Sequence, residues 1–438
     1  MLDLTTMNAV LDDLRLPLAD LIKKKVHVLN WAAERMERGG GKQVLIPARV
    51  AEETATALGG GWIGDGAALT AETTATPLQL TVPYRFYARR LQVSGPTIEA
   101  AGESKSQLEN AIADGLELLV DSIGSQLNRF SWSGGSCVGF LHEHEDKVSG
   151  SVWEFDGDAQ KMSDYVAGGL GAVTVQLVDT DDYAQLTTAT CTAVAIPGST
   201  VTLTDGGGVG AANVDTSVAG VGSTAGRAIA VIINSAAHTA VSGIQPIGLY
   251  GNLGLQTHFG LNRSAAGNAR LRSNVFTMAT AGDHDRADVT LARLQILLDE
   301  ITSDTSGMGR PDRAFFNPSL RSELATLFQA TATMQVNIGD GKGIKVDAGV
   351  IPGGFSYGGI PFEEDVDCGH GMIVFVQDNT WVVPTLRKGD WDGPGYVVQG
   401  TDRVDRPWKQ YHNVVCKGPN FAGAIVGLDF PGAAAGTG

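Results

Sequence analysis

Apolar side chains recur at helical spacing through residues 1–38. Leu11, Leu14, Leu18, Leu21 and Ile22 are followed by Val26, Leu29 and Ala33, which predicts short amphipathic helices. Pro17 breaks or offsets the first of them, and Gly39-Gly40-Gly41 ends the stretch. Residues 42–82 change to Ala, Thr, Gly and scattered acids, with few large apolar side chains beyond Leu58, Trp62, Ile63 and Leu69. Such a segment cannot build a core alone. Alternation then sets in at Leu78, Leu80 and Val82 and continues through Tyr84, Phe86 and Ala88. This predicts a long strand, with Pro77 and Pro83 marking an edge or irregular pairing. Together residues 43–95 read as a protruding hairpin with its tip at Gly59–Gly66.

The clearest helix covers 103–130. Leu108, Ile112, Leu116, Leu119, Ile123 and Leu127 form one stripe, and Ser104 with Gln107 offers a capping box. At about 1.5 Å per residue this rod is about 40 Å long. Residues 153–243 hold short β-branched runs, such as AVTVQLVD and GRAIAVIIN, with no Lys or Arg from Val166 to Gly226. They read as an independent small β unit, a barrel or sandwich, inserted into a larger domain. From 244 to 430 helix and strand alternate. Asp288 is placed to cap a helix carrying Leu291, Leu294, Leu298 and Ile301. Arg313–Phe316 reads as a strand, and Asn317-Pro318 starts a second helix. Ile360–Phe362, Met372–Gln377, Thr380–Val383 and Asn413–Cys416 read as strands, and the tail 431–438 has no packing value. The fold class expected is α+β.

Composition narrows the function classes. The 438 residues carry 32 Lys+Arg and 48 Asp+Glu, a net charge of −16, which argues against a protein that wraps DNA by overall charge. Hydrophobic residues at 43% support a sizeable core and exclude a disordered chain. The N-terminus lacks the basic start and apolar run of a signal peptide, and no run approaches a membrane span, so a soluble cytoplasmic product is expected. Cys137, Cys191, Cys368 and Cys416 are widely spaced without a CxxC, and are read as four buried free thiols.

Candidate chemistry is thin. Gly354-Phe355-Ser356-Tyr357-Gly358 has the GxSxG form, but the residues after it, Gly359-Ile360-Pro361-Phe362, read as extended rather than helical. The strand-to-helix elbow that exposes a nucleophile is therefore not expected. His370 and His412 follow without marking either as a base. His142 and His144 would share one face of a strand, yet no third ligand is identifiable. Gly341-Lys342-Gly343 and Gly206–Gly210 lack phosphate-loop spacing, and Asp179, Asp181 and Asp182 fit turn chemistry better than a calcium loop. The small basic clusters Lys23–Lys25, Arg89-Arg90 and Arg270 with Arg272 read as solvated faces or intersubunit ion pairs. No catalytic residue, cofactor or metal is assigned. A chain of this size without a catalytic motif points to a structural or binding role.

The order of elements resembles the major capsid proteins of tailed bacteriophages, the HK97-like shell fold. The resemblance runs through Gln79-Leu-Thr-Val-Pro-Tyr-Arg-Phe-Tyr-Ala-Arg-Arg-Leu-Gln-Val-Ser94, the helix Ser104–Phe130 and Ser133–Gly139. It resumes at Ile247–Gly251 and Phe259–Ser264, then continues through Asp288–Ile301, Phe316–Leu324 and Gly359–Phe362. It implies an N-terminal arm (1–42), an extended hairpin (43–95), a peripheral domain with a spine helix (96–152), the β insert (153–243), a mainly axial domain (244–375), return strands (376–430) and a flexible tail (431–438). It also implies self-assembly into hexamers and pentamers of an icosahedral head enclosing double-stranded DNA, held only by weak non-specific contact. A portal, a separate scaffolding protein and a decoration protein are the further partners, no membrane is involved, and the shell would assemble in the host cytoplasm. The assembly residues expected are Leu18, Leu21, Leu58, Trp62, Ile63, Asp65, Leu69, Arg85, Arg89 and Arg90. Two departures matter. No lysine occurs from Gln43 to Ser104, so the lysine–asparagine crosslink of some members is not expected. Only about 40 residues precede the hairpin, which suggests an uncut arm rather than a cleaved helical precursor. An encapsulin-type compartment is the alternative within the same fold, and a serine hydrolase using Ser356 the alternative from another class.

Overall fold

A computed structural model describes residues 26, 31–35, 41–49, 78–94, 105–134, 137–141, 147–149, 151–166, 172–196, 200–205, 228–233, 245–277, 288–331, 355–397 and 403–430. The chain begins with β1 (Ala33–Arg35), β2 (Gln43–Pro47), β3 (Gln79–Pro83) and β4 (Arg85–Ser94), then the 29-residue helix α1 (Lys105–Ser133). Next come β5 (Cys137–Leu141), β6 (Lys147–Ser149), β7 (Val152–Gly157), α2 (Ala159–Tyr165), β8 (Val173–Asp179), β9 (Gln185–Ala195), β10 (Thr200–Asp205) and β11 (Ile229–Ile233). The helix α3 (Leu249–Gly254), β12 (Thr257–His258), β13 (Leu261–Asn262), β14 (Asn274–Thr277), α4 (Leu291–Asp304), β15 (Arg313–Phe316) and α5 (Arg321–Thr331) follow. The last strands are β16 (Phe355–Tyr357), β17 (Ile360–Glu364), β18 (Ile373–Val376), β19 (Trp381–Trp391), β20 (Tyr396–Val397), β21 (Arg403–His412), β22 (Val415–Cys416) and β23 (Gly423–Val426).

The first large sheet has the order β1-β19-β21-β20, with β22 also on β19 and β4 on β21. The β4–β21 pairing is continuous over ten residues, from Arg85↔His412 to Ser94↔Arg403. One face of this ribbon meets α1. Tyr87 packs edge-on to Trp408 and Phe130, and both the Tyr87 hydroxyl and Arg89 Nε donate to Gln126 Oε1 at 2.9 and 3.2 Å. On the described part of α1, Val120, Ile123, Leu127 and Trp132 are buried while Glu117, Asp121 and Ser125 face solvent. The stripe read from the sequence is therefore present from Leu119 onward. The helix runs three residues past the expected end at Phe130; Ser131 and Ser133 return hydroxyl hydrogen bonds to the carbonyls of Leu127 and Arg129.

Strands β10, β9, β8, β11, β5 and β7 form a continuous sheet, and β10 pairs back onto β7 through Val201↔Trp153. The six strands thus close into an antiparallel barrel, with β6 added on β7. Its interior holds Val138, Trp153, Phe155, Met162, Val175, Cys191, Val201 and Val231. The boundary drawn at 153 from composition does not match this barrel, because β5 is one of its walls. Nor does the barrel stand apart. Alternate residues of its wall, among them Phe140, Val178, Ala230 and Ile232, join the main core with Leu127, Trp132 and Tyr250. A strand buried on both faces gives an unbroken apolar run, as in Ile229–Ile233, and such a run carries no sign of which face meets which neighbour.

The third sheet has the order β14-β23-β18-β15-β17-β16. Helix α4 and the start of α5 cover one face through Leu294, Leu297, Ile301, Leu320 and Leu324 against Phe316, Phe375 and Ile425. Phe315, Val374, Val376 and Ala424 point the other way into the main core, where Trp132 meets Phe315 at 5.6 Å.

Two sequence readings need correction. The stretch ending at Ala33 is not helical there; Ala33–Arg35 is a strand, captured in parallel by Val382–Pro384 of β19. Helix α4 is capped by Thr290, whose side chain accepts from Arg293 N, and Asp288 instead offers its carbonyl to the Arg293 side chain. The return strands expected over 376–430 include the ten-residue β21, whose bounds no alternation marks because Arg403, Arg406, Pro407 and Lys409 interrupt it. Asn317 does cap as expected, accepting from Ser319 N ahead of a 3-10 turn into α5.

Candidate assembly surface

The hairpin β2–β3 is antiparallel with Gln43 opposite Pro83 and Pro47 opposite Gln79. Val44, Ile46, Leu80 and Val82 alternate inward and bury with Tyr84, Phe259 and Val415. The opposite face carries Leu45, 56% exposed. Backbone bonds close the base: Ala48 N to Leu78 O at 2.8 Å, Arg49 N to Lys417 O at 2.7 Å and Tyr84 N to Lys42 O at 3.0 Å. The Arg49 guanidinium lies over the Phe421 ring at 4.6 Å. The chain thus leaves and re-enters the body at a fixed place, with residues 50–77 between. Leu58, Trp62, Ile63, Asp65 and Leu69 belong to that stretch and, like Leu18 and Leu21, lie outside the described residues. So do Lys23–Lys25, His142, His144, the Ser104 cap, Gly206–Gly210 and Gly341–Gly343.

The three arginines of the expected interface separate by the pleat of β4. Arg85 and Arg89 turn inward; Arg89 is engaged by Tyr87 and Gln126, and burial lowers the Arg85 guanidinium below its ordinary value. Arg89 thereby belongs to the seam between sheet and helix. Arg90 faces outward, 3.8 Å from the buried Asp405 carboxylate, which Arg403 also approaches at 3.4 Å. Sequence reasoning missed Phe86. It is 63% exposed and packs on Tyr411 with centroids 4.4 Å apart, and the Arg387 guanidinium lies 6.0 Å from the Tyr411 ring. The alternation puts Phe86 on the side of Leu80 and Val82, but the strand breaks at Tyr84, and beyond it that parity is the exposed one, which Phe86 shares with Ala88, Arg90, Gln92 and Ser94. A large ring held open to solvent by a firm sheet suits a contact with another surface.

The other motifs resolve into structure. Ser356 sits mid-strand opposite Pro361 in the β16–β17 hairpin, whose turn is Gly358-Gly359 with φ of 59° and 84°. No helix follows the serine. His412 lies in the first sheet and His370 stacks near Phe430, so the hydrolase elbow is not formed. Asp179 and Asp182 accept from the backbone of Asp181 and Ala184, which is turn chemistry. All four cysteines are free and buried; burial pushes the Cys137 and Cys416 thiols up to about 12. Among the described residues no three metal-ligating side chains gather, and no helix is long and apolar enough to cross a membrane.

No family model matches the sequence, and no curated protein matches it. Solved structures do. The capsid asymmetric unit of cyanophage A-1(L) is 12% identical, with 92% of this chain and 93% of that chain covered and a TM-score of 0.49. The capsid of an empty GTA particle is 12% identical over 92% and 90%, with a TM-score of 0.43. The encapsulin of the holo-SrpI complex from Synechococcus elongatus is 8% identical over 82% and 79%, with a TM-score of 0.36. The chain is similar, over about nine-tenths of its length and at low identity, to the capsid chains of phages.

Proposed function

We propose that this chain is the subunit of an icosahedral head, a major capsid protein that closes into hexamers and pentamers around double-stranded DNA. The observation that carries the reading is the rooted hairpin. A two-stranded base buried in the body delivers 28 residues that hold too few apolar side chains to fold alone, beside the exposed Phe86 ring of β4, which packs on Tyr411 of β21. Such a segment gains order by lying on a neighbouring copy, and many weak contacts of that kind close a shell multivalently. Strand β4 leads on toward the 29-residue helix, in the order that the capsid resemblance requires. The charge of −16 keeps packaged DNA from adhering to the wall. A portal, a separate scaffolding protein and a decoration protein complete the expected partners.

Electron microscopy of the chain co-expressed with its scaffolding protein tests this: closed icosahedral shells are expected. A monomer under every assembly condition would overturn the proposal. Shells formed without scaffold and loaded with a protein cargo would move the reading to an encapsulin-type compartment.

A further inference from the structure

The spine helix is tied to the third sheet by a polar joint. Asn128, on the buried side of α1, donates its amide to two carboxylates of the turn after β17: Asp365 Oδ1 at 2.9 Å and Asp367 Oδ2 at 2.7 Å. Asp365 Oδ1 also accepts from Asp367 N at 3.0 Å. Asn317 pins the same turn from below, donating to the carbonyls of Val366 and Cys368, and the Tyr250 hydroxyl of α3 donates to Asp367 O at 3.4 Å. The two carboxylate oxygens on one amide are no more than about 6 Å apart, and at that separation the Asp365 charge opposes ionisation of Asp367.

The charges facing Asp367 do not offset its burial. Arg129 of α1 is the cation that acts on Asp367, but its guanidinium is already held by Asp158 at 2.7 and 2.8 Å and by Asp164 at 3.5 Å. Asp158, ahead of α2, adds a third negative charge. Lys161 of α2 is spent on the Ser133 carbonyl and on Asp158, and His370 stacks near Phe430. Tyr250 and Cys368 have their pKa values raised by burial, which keeps both neutral.

We propose that Asn128, Asp365 and Asp367 form a proton-operated latch: with the Asp367 carboxyl protonated the turn is held to the spine helix, and its ionisation beside Asp365 loosens it. Burial pushes the Asp367 carboxyl up to about 6; the Asn128 hydrogen bond favours the ionised form but does not offset burial, and the Asp365 and Asp158 charges add to the rise. A folded-state value above the ordinary 3.8 means that the joint is strongest below pH 3.8, weakens as pH rises from there to about 6, and changes little above it. The spine helix would then be free to move against the third sheet near neutral pH and held in mild acid.

Hydrogen exchange of the segment 365–371 in the full chain, corrected for the intrinsic pH dependence of exchange, reads the latch directly. Protection is expected to fall about tenfold between pH 5 and 7.5, most of it before pH 6, with the midpoint of the whole fall between 3.8 and about 6. Asp367→Asn, isosteric and unable to ionise, should abolish the step and stay protected at the higher pH. Asp365→Asn should move the midpoint toward the ordinary carboxylate range. Equal protection at both pH values in the wild type, or an unmoved step in Asp367→Asn, overturns the proposal. Should Asp367→Asn fail to fold, an unmoved midpoint in Asp365→Asn overturns it equally. Exchange is read on the subunit itself, so the result is separable from any failure to form shells.

Discussion

Asp158 keeps its charge almost out of water because four donors converge on it: Arg129 Nε and Nη2, the Ser133 hydroxyl and the Lys161 backbone N–H. Burial alone would raise this carboxyl; the Arg129 contact leads the effects that outweigh it and hold it below its ordinary value. Arg129→Met removes one half of a largely buried pair and leaves the other, which costs about 3 kcal/mol; the loss is measurable as a fall in the urea midpoint. His412 works in the opposite sense to a paired cation. It is 2% exposed with both ring nitrogens unbonded, and burial lowers it to about 4. Its unfolded form takes up a proton near pH 6.5, so its contribution is complete above that pH and is lost as pH falls toward 4. The span is worth about 3 kcal/mol, and His412→Leu should flatten that part of the pH–stability curve measured by denaturant titration. Neither role was legible in the sequence. Arg129 and Asp158 are 29 residues apart, and only the crossing of α1 with the start of α2 joins them.

At the scale of elements, legibility followed periodicity. Helix α1, the Asn317 cap and the Ile229–Ile233 strand could be read because one local period or one capping residue decides them. The barrel's boundary could not be, because β5 pairs with β11 across a gap of nearly ninety residues and no local pattern records that partner. This changes the expected outcome of excising 153–243. Taken as an independent insert, the segment should be removable. In the folded chain its loss strips β5 of both neighbours, β7 and β11, and uncovers Cys137 and Phe140 in the main core. Gly139 is packed so closely there that an added Cβ would lie 2.5 Å from Asp156 O and 2.7 Å from Gly157 Cα. The excised chain is therefore expected to be insoluble or to bind hydrophobic dyes without a cooperative melt. A cooperative transition equal to that of the intact chain would contradict this account of the shared core.

For the whole molecule the question is what can be removed without touching the fold. The base of the hairpin is closed by the Ala48–Leu78 backbone bond and by the cluster of Val44, Ile46, Leu80 and Val82. Residues 56–68 lie beyond that closure, so their deletion should leave the melting temperature of the subunit within a degree or two (a change of no more than about 0.5 kcal/mol) while shell yield collapses. Phe86→Asp makes the same separation from inside the sheet. The ring is 63% exposed, so little buried area is lost on folding, yet the change puts a charge on the aromatic pair with Tyr411. Sedimentation should find a folded, unassembled chain; assembly at the wild-type yield would remove the pair from the interface. The absence of lysine between Gln43 and Ser104 bears on the finished particle. An isopeptide bond needs an amine to attack a carboxamide, and neither the hairpin nor β4 carries one. Shells of this chain should therefore dissolve in hot detergent to a single monomer band, with contacts between copies broken by denaturation alone, and a ladder of covalent oligomers would show that a lysine elsewhere reaches across the interface.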